Sequence, residues 1–161
     1  GVALSKVWLV VWIGNLAGAA GLSAIFVLGG GAGIIDDSSS FLNQVASKKM
    51  NAPAIELLAR GILCNWLVCL ALWMSGRTKN DAAKCIVIFW CLFAFISSGF
   101  EHSIANMTVF AVALLGNHPE TVNLLGAFYN LFWVTIGNTI SGGIFMALGY
   151  WLYAGRNTVT R

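Results

Sequence analysis

The chain has 161 residues, of which 58% are hydrophobic and only 9% charged, against about 25% charged in soluble domains. With a mean hydropathy of +0.80 and long charge-free runs, this composition excludes a soluble domain and reads as a polytopic membrane protein. A net charge of +3, without basic residues interleaved among aromatics, excludes a nucleic-acid surface.

The first span is expected at about residues 7–28, with Trp8 and Trp12 near its entry, where aromatic belts sit. Inside it, Gly14, Ala17, Gly18 and Gly21 form a face of small residues suited to tight helix contact. Gly29-Gly30-Gly31 ends the span, and residues 32–53 read as a polar loop holding Asp36-Asp37-Ser38-Ser39-Ser40 and then Lys48-Lys49. A second span covers about residues 54–75. Its Glu56 and Arg60 are four apart and can pair on one helix face. Deeper in, Asn65 stands alone among apolar neighbours, a pattern that fits helix–helix glue and pore lining equally. A basic loop from Arg77 to Lys84 leads to a third, interrupted span at about 85–115. A tight polar loop around Pro119 precedes the last span, at about 123–153.

The interrupted span holds the most informative residues. Ser97-Ser98-Gly99-Phe100-Glu101-His102-Ser103 separates two apolar flanks. As a helix, each flank is only about 18–20 Å long, too short for a hydrocarbon core of roughly 30 Å. Joined, the flanks cross, and the polar node falls near the membrane midplane. Ionisable groups there face protein or water, and opened backbone is tolerated there only where it lines a cavity or is buried in protein. The node therefore reads as a pore or binding site, set against a simple turn or a self-satisfied Glu101–His102 pair.

Alternate loops set the orientation. Lys6, Arg77, Lys79, Lys84, Arg156 and Arg161 share one side, opposed by Lys48 and Lys49 with Arg60 at the fringe. An excess of Lys and Arg marks the cytoplasmic side, which places both chain ends in the cytoplasm. The four cysteines, Cys64, Cys69, Cys85 and Cys91, lie in apolar runs with no zinc or redox spacing and are expected as buried thiols. No metal site is expected. Ile13-Gly14-Asn15 and Ile136-Gly137-Asn138 form a weak repeat in spans of opposite direction, the pattern of an inverted-repeat channel or transporter. Without an initiator methionine or charged leader, the chain is expected to be a fragment.

Three motifs resemble those of the formate/nitrite transporter family. They are Gly61-Ile62-Leu63-Cys64-Asn65-Trp66-Leu67-Val68-Cys69, Gly99-Phe100-Glu101-His102-Ser103-Ile104-Ala105-Asn106-Met107, and Val134-Thr135-Ile136-Gly137-Asn138. Trp90-Cys91 through Thr108, Gly116-Asn117-His118 and the 139–151 stretch are most similar to the nitrite-channel branch. The resemblance implies an all-α, aquaporin-like bundle with its second and fifth helices broken, assembled as a homopentamer in the lipid bilayer with one pore per protomer. On that reading the chain corresponds to the third to sixth helices. The resemblance also implies that His102 is the central pore histidine, with Asn65 beside it and Lys49 in the outer vestibule. Val68 and Phe95 match apolar constriction positions, and Glu101 and Asn106 match residues that hold the broken helix in place.

These residues suit passage of a small anion. Lys49 raises the local anion concentration. Asn65 and His102 each offer an N–H, and opened backbone at Ser97, Ser98 and Gly99 is expected to present helix-terminal N–H groups. His102 either delivers a proton to the anion or only donates a hydrogen bond; histidine suits the first role because its ordinary pKa is about 6.5. The expected function is a channel or transporter for small monovalent anions and protons, nitrite first, with formate and hydrosulfide as alternatives. No cofactor and no enzymatic chemistry are expected, because no second acid, base or metal stands near the node. An aquaporin-like pore for neutral solutes remains the reading of another class, although Asn-Pro-Ala turns are absent from the sequence.

Overall fold

The computed structural model describes residues 2–34 and 36–158, and their side chains except at 32 and 155–158. Arg161 and the Arg156 side chain, used above for orientation, lie outside that description. Every regular element among the described residues is helical. Helix α1 is Val2–Leu28 and a short 3-10 turn follows at Gly31–Gly33; α2 is Phe41–Met50, α3 Ala54–Ser75, α4 Asp81–Ser97 and α5 Ser103–Leu115. Helix α6, Leu124–Ile140, continues through a π-helical stretch at Ser141–Leu148 into α7, Gly149–Thr158.

Val2–Leu28, Ala54–Ser75 and Leu124–Ala154 are long and apolar enough to cross a membrane. Helices α4 and α5, of 17 and 13 residues, reach only about 25 and 20 Å. The third expected span is therefore two separate helices, neither long enough to cross alone.

The chain divides into two compact units. The first comprises Gly1–Pro53 and Ser103–Phe132. Its core joins Ala46 and Met50 of α2, Met107, Phe110 and Ala113 of α5, and Ala127 and Leu131 of α6, with Trp12 and Leu16 of α1 packed against it. Helix α2 occupies part of the stretch that the sequence presents as a polar loop. The Asp36–Ser40 run that argued for a loop is its lead-in: the Ser40 side chain accepts from Asn43 N, and Asp37 ties down Ser39. The Asp37 carboxyl is held below its ordinary value by the Ser39 N–H and hydroxyl. The glycines on the small-residue face of α1 make no close contact among the described residues. A Cβ at Gly14, Gly18 or Gly21 would meet nothing within 4 Å, and the face lines a groove of about 400 Å³ with Val11, Asn15 and Ile104.

The second unit comprises Ala54–His102 and Trp133–Arg161. Close backbone approach through glycine occurs here instead. A Cβ at Gly137 would lie 2.5 Å from Leu58 O and 3.1 Å from Ile62 N, and one at Gly61 would lie 3.0 Å from Val134 O. Lipid tails are as apolar as leucine, so such contact holds helices by packing and hydrogen bonding rather than by the hydrophobic effect. Among the cysteines, Cys64 and Cys91 are buried, Cys69 is half-buried and Cys85 is exposed; all four are free thiols. The Cys85 expectation fails because it sits one turn into α4, on its outer face.

Candidate functional site

The loop carrying His102 exists because of how α4 ends. Gly99 has φ +66°, a left-handed backbone that only glycine adopts without penalty. Phe100 N donates to Phe95 O at 3.0 Å and Gly99 N to Ile96 O at 3.1 Å. These two bonds form the Schellman closure of a helix C-terminus. Ser97 Oγ folds back onto Phe93 O at 2.7 Å. The N–H groups expected to face an anion at 97–99 are thus consumed: Ser98 N donates to Ala94 O and Gly99 N to Ile96 O. What this end of α4 presents is a carbonyl terminus; the next helix N-terminus begins with α5 at Ser103.

Beyond the closure the loop is pinned to two helices of its own unit. Glu101 N donates to Arg60 O on α3 at 3.3 Å. Asn138 Nδ2 of α6 donates to Gly61 O at 2.8 Å and to Glu101 O at 3.1 Å. One amide thereby ties α6 to α3 and to the loop, within reach because Gly137 and Gly61 let the backbones touch. Glu101 itself is 1% exposed. His102, half-buried, stacks on the buried Phe95 ring with centroids 5.9 Å apart and planes at 21°. The Glu56–Arg60 pair anticipated on one helix face forms, at 2.6 Å.

Asn65 bonds one helix to another in this fold. Its Nδ2 donates to Asn138 O at 2.6 Å. In an uninterrupted α-helix that carbonyl would accept from Gly142 N, four residues on. A side-chain donor entering the ladder opens it, and the helix switches to π geometry from Ser141. Gly142 makes room, since a Cβ there would lie 2.8 Å from Asn65 Nδ2. Val68, one turn further along α3, is half-buried.

The remaining expected site residues lie in the first unit. Asn106, 2% exposed, donates to Asn130 Oδ1 at 2.9 Å. Asn130 is fully buried and donates to Lys49 O at 2.9 Å. Asn106 thus supports α5 through a relay that also fixes the last turn of α2, where Lys49 stands half-buried. Sequence reasoning missed Asn130 and Asn138 as site-building residues. For Asn138 the signal was present in the Gly-Asn repeat; for Asn130 there was none beyond a lone amide in an apolar run. Among the described residues no three His, Cys, Asp or Glu side chains gather as a metal site.

Fold and loop define a polytopic membrane bundle in which short helices meet a pinned, polar, histidine-bearing break. Residues 2–152 match the formate/nitrite transporter family, and the chain belongs to it. It is 51% identical to the nitrite transporter NirC of Escherichia coli (strain K12), over 91% of this chain and 55% of that protein. It is 35% identical to the formate channel FocA of the same strain, over 92% of this chain and 59% of that one. The chain therefore spans a little over half the length of these relatives. Among solved structures, an FNT family ion channel superposes with a TM-score of 0.85 at 49% identity, covering 88% of this chain and 56% of the other. A pentameric formate channel with formate bound gives 0.81 at 30% identity, covering 94% and 67%.

Proposed function

We propose that the protein conducts small monovalent anions, nitrite foremost, across a bacterial inner membrane as a homopentamer with both chain ends in the cytoplasm. The observation that carries this reading is the mounting of His102: a loop closed by Gly99, held by Asn138, with the imidazole against Phe95. The 51% identity to a nitrite transporter favours nitrite over formate.

An unpaired ion in an apolar passage costs tens of kcal/mol in the Born limit, whereas a neutral polar group costs roughly 2–7 kcal/mol. Lys49 at the outer mouth concentrates the anion. Val68 and Phe95 form the apolar constriction on either side of His102. The imidazolium of His102 gives its proton to a nitrite oxygen, leaving neutral imidazole and neutral nitrous acid. The acid crosses the constriction and releases the proton on the far side; a proton from the outer solution, relayed by water at the mouth, then restores the His102 imidazolium. Glu101 and Asn106 keep the break in place.

Liposomes with a pH gradient test this, with nitrite and formate as separate permeants. His102→Asn keeps an N–H donor but delivers no proton at neutral pH. The proposal expects pentamers of normal size whose proton-coupled nitrite uptake falls to background. Wild-type uptake and pH response in that variant would leave His102 as a static hydrogen-bond donor.

A further inference from the structure

At the end of α3 away from Glu56, the structure holds an arginine in an aromatic setting that the transport mechanism does not use. Trp73 lies in the last turn of α3, and its indole stacks on Tyr150 of α7 with centroids 3.8 Å apart and planes at 17°. Arg77 follows the helix end, where Arg77 N donates to Met74 O. Its Cζ lies 4.4 Å from the centre of the Trp73 ring, well inside cation–π range. The guanidinium is exposed, and among the described residues no carboxylate pairs with it. The nearest acidic side chain in sequence, Asp81, is taken by Lys84 at 2.8 Å. Lys79, two residues on, is a second exposed cation.

The depth of this group in the bilayer follows from its neighbours. Tyr150 falls in the last turns of the apolar Leu124–Ala154 stretch, and Trp151 and Tyr153 beside it are each 69% exposed. Tryptophan and tyrosine gather at headgroup level. The same end carries the excess of Lys and Arg that marks the cytoplasmic leaflet, whose surface is anionic. The cation–π contact holds the guanidinium at Trp73 while it stays exposed, and an arginine fork can bind phosphate bidentately. A free arginine would have to order its long side chain on binding.

We propose that Arg77, seated on the Trp73 ring that itself stacks on Tyr150, binds the phosphate of an anionic phospholipid at the headgroup level of the membrane. The lipid phosphate occupies the guanidinium fork, and its glycerol and upper acyl carbons lie against the exposed aromatic faces. Only the assignment to the cytoplasmic leaflet rests on the proposed orientation. Reporter fusions at the chain ends test that orientation independently of the binding.

The test is native mass spectrometry of the protein released from nanodiscs of phosphatidylcholine doped with phosphatidylglycerol. The wild-type protein should retain phosphatidylglycerol preferentially. Arg77→Gln should lower that retention about fivefold, as expected for one interfacial cation. Arg77→Lys, which keeps the charge but not the stacked fork, should give an intermediate value, and Lys79→Gln a smaller loss than Arg77→Gln. Excess inorganic phosphate should not displace the lipid. Three results would each overturn the proposal: unchanged retention in Arg77→Gln of normal assembly, equal losses in Arg77→Gln and Lys79→Gln, or displacement by inorganic phosphate, which would mean a free-anion site.

Discussion

Gly137→Ala tests the contact on which the His102 loop depends. The added methyl would sit 2.5 Å from Leu58 O, 3.1 Å from Ile62 N and 3.2 Å from Gly61 Cα. All three are backbone atoms and cannot swing aside, so α6 must retreat by about 1 Å to reach ordinary contact near 3.5 Å. Such overpacking costs about 1–3 kcal/mol. The same retreat stretches the Asn138 bonds to Gly61 O and Glu101 O, now 2.8 and 3.1 Å, to about 4 Å, beyond hydrogen-bond range. Each bond of this kind contributes about 0.6 kcal/mol within a membrane protein. Against these losses, alanine gains about 1 kcal/mol of helix propensity over glycine. The balance is a destabilisation of about 1–3 kcal/mol. Unfolding by SDS in mixed micelles measures it, with Gly143→Ala as control because nothing lies within 4 Å of a Cβ there. The control should be neutral or slightly stabilised, and an unfolding midpoint for Gly137→Ala at or above wild type would refute the reasoning.

Gly99→Ala should cost about 1–2 kcal/mol in the same assay, although nothing within 4 Å opposes the methyl, because the strain lies in the left-handed backbone; Gly99→Asn should lose less, and equal stability of all three proteins would mean the φ is not maintained. Asn130→Ala should be the more damaging substitution, at roughly 2–4 kcal/mol, since it removes the buried amide that joins the Asn106 side chain to the Lys49 carbonyl. A loss below about 1 kcal/mol, measured by the same titration, would show that water repairs the gap.

The sequence displays the break at 97–103 because two short apolar flanks around Ser-Ser-Gly leave few alternatives. It does not display which end of a helix the break exposes. Both a Schellman closure and an opened N-terminus use a glycine here, and only the bonds of Ser98, Gly99 and Phe100 decide between them. Helix α2 was hidden because Phe41–Met50 has too few apolar residues to stand out beside the membrane spans, and its buried face, Ala46 and Met50, is defined only by packing on α5. Glycine positions were legible as a type but not as partners. Gly14 and Gly18 look better suited to close contact than Gly61 and Gly137, which are separated by 76 positions and mean nothing until their helices meet. Asn65 illustrates the same limit: one amide in an apolar run announces a hydrogen bond, but its acceptor, Asn138 O, lies 73 residues away.

That separation has a consequence for how the protein is made. The Glu101 carbonyl leaves the ribosome 37 residues ahead of the Asn138 amide that seats it. At 5–20 residues per second the interval is roughly 2–7 s, far longer than the microseconds in which helices form. Helices α3 and α4 are thus complete while the His102 loop still lacks its second anchor. The loop reaches its final seat only when α6 arrives, so a helix made well after the loop is the one that fixes its position.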